Sequence, residues 1–73
     1  METMNIYAET GSRVRFSFPD NGYEGDRVHA AKYLTPLNVY TVLYTNVGNS
    51  HTSVRLAEFP DQYFNSVQFE DVI

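Results

Sequence analysis

The residues of this sequence that could do acid–base chemistry near neutral pH are two histidines, His29 and His51. A catalytic histidine needs a carboxylate or hydroxyl partner at hydrogen-bond distance, and the spacing along the chain supplies none. We expect His29 on a short helix and His51 at the shoulder of a hairpin, both as exposed side chains. No nucleophile, base and orienting group can be assembled from the residues present, so the sequence predicts a protein that is not an enzyme.

A metal site would need clustered histidine and carboxylate ligands, and the nearest candidates are Glu24, Asp26 and His29. Their spacing is not diagnostic, because Asp26 is also suited to cap a helix and Glu24 to be solvated near its positive end. The chain has no cysteine, which excludes disulfides, thiolate zinc sites and cysteine nucleophiles. Its four glycines are scattered and form no phosphate-binding loop. The sequence therefore predicts neither a metal nor a cofactor.

Three arginines, Arg13, Arg15 and Arg55, could share the outer face of neighbouring strands, with Tyr44 or Tyr7 nearby to stack on bases. The formal net charge of −4 opposes binding to a phosphate backbone. Carboxylates on the same sheet would instead form ordinary cross-strand ion pairs with these arginines, and they are Glu58, Glu70 and Asp71. Nucleic-acid binding on the outer face of the sheet is therefore the alternative function, and it is disfavoured by the acidity.

Six tyrosines and five phenylalanines make the chain rich in aromatic residues. Most must pack the core, but several fall in loops or at strand ends, where an exposed tyrosine can anchor a protein partner. The predicted partner-binding residues are Tyr23, Tyr33, Phe59, Asp61 and Tyr63. They would form one surface from the Asn21–Gly25 loop and the Phe59–Phe64 turn. A tyrosine that plugs the open end of a small barrel would account for the same pattern.

The first half of the chain contains one clear strand and one short helix. Apolar and polar residues alternate from Arg13 to Phe18, which predicts a strand with every second side chain inward. Residues 1–12 have no clear period and are treated as an N-terminal arm, which could add one strand through Asn5, Ile6 and Tyr7. A helix is expected from Arg27 to Leu34, capped by Asp26 and ended by Pro36, with Val28, Ala31 and Leu34 at helical spacing.

The second half reads as strands joined by tight turns. β-branched and aromatic residues predict a strand from Val39 to Asn46, with Tyr40, Val42 and Tyr44 on one side. A hairpin loop and a returning strand from His51 to Phe59 follow. Pairing should stop at Pro60, Asp61 and Gln62, because proline lacks a donor. A single helical turn over Tyr63–Ser66 and a last strand over Val67–Ile73 complete the order.

This order predicts a mainly β domain over residues 13–73, a small SH3-like barrel of about five strands with one short helix in the first long loop. The expected core is Val14, Phe16, Val42, Val54, Leu56, Val67 and Phe69. Arg15 and Gln68 should face outward.

Short stretches of the chain carry a family resemblance, and they are Val14-Arg15-Phe16, Gly22-Tyr23, Asp26-Arg27, Ala31-Lys32-Tyr33-Leu34, Tyr40-Thr41-Val42 and Phe64-Asn65-Ser66-Val67-Gln68-Phe69-Glu70. Together they resemble the small SH3-like proteins encoded by bacteriophages and prophages. The resemblance implies a small accessory phage protein that binds a host or phage protein, and it transfers no functional residue. Tryptophan is absent, unlike in the peptide-binding SH3 domains, so the resemblance does not extend to proline-rich ligands.

A cytoplasmic location is expected, in the host cell if the chain is phage-encoded. No stretch approaches the roughly 20 apolar residues that span a bilayer. The start of the chain lacks the basic-then-apolar order of a secretory signal. The absence of cysteine also fits a reducing compartment.

Overall fold

The computed structural model describes residues 2–73. The strands over this range are β1 (Arg13–Arg15), β2 (Val39–Val47), β3 (Thr52–Leu56), β4 (Phe59–Asn65) and β5 (Glu70–Asp71). One α-helix, α1 (Glu24–Tyr33), lies between β1 and β2, and a 3₁₀ helix (Ser66–Gln68) joins β4 to β5. Within the same range, no helix is long and apolar enough to cross a membrane.

The strands form one antiparallel sheet in the order β4-β3-β2-β1-β5. The long strand β2 pairs with β1 through its first residues and with β3 through the rest. The 3₁₀ helix then carries the chain from one edge strand, β4, to the other, β5. The predicted fold class is confirmed: the domain is mainly β, with five strands and one helix in the first long connection.

The predicted core is confirmed at every position except Val67, which is half-buried. Phe16 and Phe69 meet in its centre with ring centroids 5.7 Å apart. Further residues complete the buried cluster, and they are Met4, Ala30, Leu34, Tyr40 and Phe64. Val67 differs because it lies in the 3₁₀ helix, where side chains no longer alternate between two faces.

The N-terminal arm packs against the domain without adding the strand considered for Asn5, Ile6 and Tyr7. Its anchor is the buried Met4, whose backbone N–H donates to the carbonyl of Phe69 at 2.8 Å. The chain then turns, because the side-chain oxygen of Asn5 accepts from the N–H of Tyr7 at 2.9 Å. An asparagine that bonds its own backbone two residues on favours a turn over a strand.

Strand β1 stops at Arg15, three residues before its predicted end. Ser17 N–H bonds the carbonyl of Arg15 at 3.0 Å, which bends the backbone away from the ladder. Phe18, expected to be inward, is half-buried as a result.

Helix α1 begins at Glu24, three residues earlier than predicted, so Asp26 lies in its first turn and is not the capping residue. The carboxylate of Asp26 accepts from the backbone N–H of Tyr23 at 2.9 Å, which satisfies a donor that precedes the helix. The predicted inward face is wrong at Val28 and Ala31, which are exposed, while Ala30 is buried. Packing against β4 sets this rotation, and the short helical pattern carried too little information to specify it.

The predicted strand from His51 to Phe59 is two strands: β3 ends at Leu56 and β4 begins at Phe59. The predicted break at Pro60–Gln62 is wrong, because β4 continues through it. Proline is tolerated there because β4 is an edge strand, so one side of its backbone has no ladder to supply. The ladder is nonetheless irregular at this point, which matters for the site described below.

The end of the chain is wound more tightly than expected. The helical turn falls at Ser66–Gln68 and not at Tyr63–Ser66, because the Asn65 side chain caps it by accepting from the N–H of Val67 at 3.2 Å. Gln68, predicted to face outward, is 0% exposed. The last strand is correspondingly short, Glu70–Asp71 in place of Val67–Ile73.

Candidate functional site

Two irregularities in the ladder lie on either side of Arg55. Between the pairs Leu56–Phe59 and Val54–Phe64, β4 advances five residues while β3 advances two. The three extra residues of β4 bulge out of the ladder. Bulges of this kind redirect side chains and recur next to functional sites.

The second irregularity is in β2, which advances two residues between Val42 and Tyr44 while β3 advances one. It turns Tyr44 outward, 44% exposed, although the strand pattern predicted the same side as Tyr40 and Val42. The bulge in β4 likewise presents Tyr63, 48% exposed. We call the resulting surface the bulge face, and its residues are Tyr44, Arg55, Asp61 and Tyr63.

Arg55 lies between the two tyrosine rings of the bulge face. Its guanidinium carbon is 3.9 Å from the ring centroid of Tyr63 and 5.6 Å from that of Tyr44. Its Nη1 donates to the carbonyl of Pro60 at 2.8 Å, inside the bulge. Two ring contacts and one directional hydrogen bond together restrict the position of the guanidinium.

The contact between Arg55 and Tyr63 changes both acidities. Hydrogen bonding to Arg55, and then its positive charge, lowers the pKa of the Tyr63 phenol. Hydrogen bonding to Tyr63 raises the pKa of Arg55, against a smaller opposing effect of desolvation. Both shifts favour the charged forms of the two groups.

Two predicted partner-binding residues, Tyr33 and Phe59, lie in an aromatic cluster between α1 and β4. Their ring centroids are 5.6 Å apart, and His29 joins them through Tyr33 at 5.2 Å and Phe64 at 5.3 Å. Since Phe64 is buried in the core, this cluster fastens the helix to the sheet. His29 is half-buried, not exposed as expected.

Tyr23 occupies a third position, before the first turn of α1. It is well exposed and meets the ring of His51 edge-on at 6.5 Å. The predicted binding residues are thus divided among three places: Tyr23 beside the hairpin, Tyr33 and Phe59 where the end of α1 meets β4, and Asp61 with Tyr63 on the bulge.

The three arginines differ in their surroundings, and Arg55 is the one that lies on the bulge face. Arg13 is exposed, and Arg15 pairs with Glu70 at 3.5 Å as the sequence suggested. The pKa of Glu70 is lowered, mainly because its carboxylate accepts a hydrogen bond from the Ser17 hydroxyl. Hydrogen bonding to Arg15 and the positive charge of Arg15 lower it further.

The other two carboxylates expected to pair with the arginines bind backbone N–H groups instead. Glu58 accepts from Thr41 at 2.9 Å, and Asp71 accepts from Asn5 at 3.2 Å.

The candidate metal ligands are used for structure. The carboxylate of Asp26 accepts from Asn65 Nδ2 at 3.0 Å as well as from Tyr23, and His29 is packed among rings. Among residues 2–73, no group of three histidine or carboxylate side chains is placed to hold an ion.

Sequence reasoning placed Tyr44 near Arg55 only in the nucleic-acid alternative, and it did not bring Arg55 together with Tyr63 and Asp61. The available signal was that Arg55 lies on β3, which pairs with two strands that carry tyrosines, β2 and β4. The two irregularities in the ladder, however, decide which of these side chains meet. Such irregularities depend on tertiary packing and leave no clear local pattern.

Comparison with curated proteins and with solved structures found no match. A family model described as Bacteriophage T4 protein Y07B matches residues 5–73, almost the whole chain. The predicted phage origin is thereby confirmed. The chain belongs to the bacteriophage T4 protein Y07B family.

Proposed function

We propose that the chain is a small non-enzymatic accessory protein of a phage that acts in the host cytoplasm by binding a host or phage protein through the bulge face. The observation that carries the proposal is Arg55 held between the exposed rings of Tyr44 and Tyr63. Tyrosine and arginine are enriched among the residues that dominate protein–protein affinity. Asp61, on the same bulge, adds a charged group at the rim.

The bulge face is also preorganised. Immobilising a long side chain at an interface costs about 0.5–1.5 kcal/mol. Arg55 is already fixed by the Pro60 carbonyl and by two rings, so it loses little freedom on binding. A rigid face with large side chains suits a chain that has only 73 residues with which to build an interface.

The positions of the histidines support a non-enzymatic role. His29 stacks on Tyr33 and Phe64, and His51 has the Ser50 hydroxyl at 3.4 Å. Neither imidazole has a carboxylate at hydrogen-bond distance among residues 2–73, and such a partner is what orients a catalytic base.

Affinity purification of a tagged chain from phage-infected host cells tests the proposal. The wild type should retain one protein in stoichiometric amount, and the double variant Tyr44→Ala, Tyr63→Ala should lose it. Tyr7→Ala is the matched control, because Tyr7 is an exposed tyrosine outside the bulge face. It should retain the partner.

Thermal melts of all three proteins separate lost binding from lost folding, since exposed tyrosines contribute little to the core. A partner held equally by the double variant would show that binding uses another surface. Recovery of no protein partner would overturn the proposal.

Nucleic-acid binding is the second candidate, because a guanidinium between two tyrosines resembles the stacking platforms of single-strand binders. Titration of labelled single- and double-stranded oligonucleotides at low salt decides it. Binding should weaken steeply with added salt if phosphates are contacted. The pairing of Arg15 with Glu70 and the net charge of −4 favour the protein partner.

A further inference from the structure

A second surface, unrelated to the bulge face, is an open groove of about 380 Å³ beside helix α1. Its walls are mostly apolar, and the residues that line them are Phe16, Pro19, Val28, Ala31, Leu34 and Pro36. Val28 is 54% exposed on the helix side, so this face of α1 is left without apolar cover by the rest of the chain. The groove and the bulge face share no residue.

Leu37 projects from the turn that follows this groove. It is 67% exposed, although it is a large apolar residue. Its backbone has a φ of 71°, in the left-handed region that costs residues with a Cβ conformational energy. The conformation is held by two hydrogen bonds of the turn, from Leu37 N–H to Phe16 and from Asn38 N–H to Thr35. Strained positions of this kind are concentrated at functional sites.

Two charges of opposite sign, Asp20 and Arg27, line the same groove. They do not pair with each other: within residues 2–73, the ion pair that forms is Arg15–Glu70. Arg27 uses Nη1 to bond the carbonyl of Gly22 at 2.8 Å, and its other guanidinium nitrogens remain available for a second contact. One patch therefore carries an apolar knob, an apolar groove and both signs of charge.

We infer that the groove binds a second copy of this chain in a symmetric dimer, in which Leu37 of each copy enters the groove of the other. Under two-fold symmetry a residue contacts a second residue and is contacted by it in return. Asp20 of each copy then meets Arg27 of the other, so the patch is complementary to itself. A purely acidic or purely basic partner would satisfy one of these charges and oppose the other.

The walls of the groove favour a side chain over a backbone as its occupant. Pro19 and Pro36 present no backbone N–H, so these segments cannot extend a strand ladder to a partner. A specific interface covers about 800 Å² per partner. The chain exposes 4555 Å² in all, so the dimer would use a modest part of it, with Leu37 and the groove at the centre.

Sedimentation analysis at concentrations up to about 1 mM tests the dimer across the range of weak specific affinities. The wild type should associate, and Leu37→Gly should weaken association at least about tenfold, as expected for truncating a central anchor. Glycine adopts the left-handed backbone freely, so this variant keeps the turn while removing the knob. Val47→Ala, at an exposed apolar position on β2, is the control and should dimerise normally.

A charge exchange provides the second measurement. Asp20→Arg should weaken the dimer, and adding Arg27→Asp should restore it, because the exchange recreates both contacts with their signs reversed. Association that neither Leu37→Gly nor Asp20→Arg changes would overturn this interface. A wild-type chain that stays monomeric throughout the concentration range would also overturn it. That holds even if Leu37→Gly abolishes binding of a different protein, because the groove would then bind that protein and not a second copy. Variants of the bulge face should leave the dimer unchanged, which keeps this test separate from the proposed function.

Discussion

At the scale of single residues, Arg55 shows how one side chain can hold an irregular ladder and also shape a surface. It lies opposite the three residues by which β4 exceeds β3, in the stretch where these two strands have no paired residues. Its hydrogen bond to Pro60 and its stacking on Tyr63 fill that gap. Arg55 thereby lies at the centre of a surface whose other large side chains are aromatic, Tyr44 and Tyr63.

The acidity of Tyr63 should depend on Arg55. Replacing Arg55 by methionine keeps an unbranched apolar stem and removes the hydrogen bond and charge that lower the pKa of Tyr63, so that pKa should rise towards the ordinary value for tyrosine. NMR titration of the Tyr63 ring measures it. Arg13→Met is the control, because Arg13 lies on β1 and should leave the Tyr63 titration unchanged. An unchanged titration in the Arg55 variant would contradict the assigned cause.

Gln68 is a buried polar residue that is only partly satisfied. Its Nε2 donates to the carbonyl of Pro19 at 3.3 Å, whereas its Oε1 has no hydrogen-bond partner within residues 2–73. A buried unpaired polar atom costs about 1–3 kcal/mol, so removing it can offset the loss of the weak bond to Pro19.

Two substitutions at Gln68 should therefore differ in their effect on the free energy of unfolding. Gln68→Met keeps the volume and should leave the free energy of unfolding within about 1 kcal/mol of the wild type. Gln68→Ala leaves a cavity and should cost at least about 2 kcal/mol. Urea denaturation measures both. Equal, small losses would show that Gln68 faces solvent, as the strand pattern had predicted.

At the scale of elements, alternation along the chain located β1 and β2 well, because each has one buried face. The same pattern failed after Phe64, where a capped 3₁₀ helix replaces a strand and buries Gln68. It also failed within α1, whose ten residues bury Ala30 and leave Val28 exposed. A helix this short is positioned by its neighbours and not by its own periodicity.

The candidate site was less predictable than the fold for the same reason. Tyr63 and Asp61 could be selected by residue type and predicted loop position. Their assembly with Tyr44 and Arg55 depends on two shifts of register that only the paired strands define. Tyr33 and Phe59 satisfied the same criteria of composition, yet they join the packing between helix and sheet.

Asp26 links the start of helix α1 to the end of strand β4. Its removal should therefore lower the free energy of unfolding by more than the loss of an ordinary charge in the first turn of a helix. Asp26→Ala would leave Tyr23 N–H and the Nδ2 of the buried Asn65 without their acceptor. Loss of a capping side chain costs about 0.5–2 kcal/mol, and we expect the upper half of that range. Glu24→Ala is the matched control, since it removes a carboxylate from the same turn and should cost less than about 1 kcal/mol. Equal effects in denaturant unfolding would mean that the link to Asn65 contributes nothing.

At the scale of the whole molecule, aromatic contacts join parts of the chain that are distant in sequence. Phe69 meets Phe16 from the first strand region and Phe64 from β4, with centroids 5.7 and 6.4 Å away. Phe64 in turn contacts His29 of α1. A domain of this size buries only roughly 60% of its unfolded surface, so a few large rings must supply much of its stability.

Truncation of either central ring should therefore bring the whole domain close to unfolding. Phe16→Ala or Phe69→Ala removes a fully buried ring and should cost about 3–5 kcal/mol, against a total stability of about 5–15 kcal/mol for typical domains. Arg15→Ala is the control, because Arg15 neighbours Phe16 and its ion pair with Glu70 is partly exposed; it should cost about 0.5 kcal/mol or less. Thermal melts of the three variants compare these costs. If Arg15→Ala were the most damaging, the register of β1 would be shifted by one residue, since such a shift exchanges the inward and outward faces of a strand.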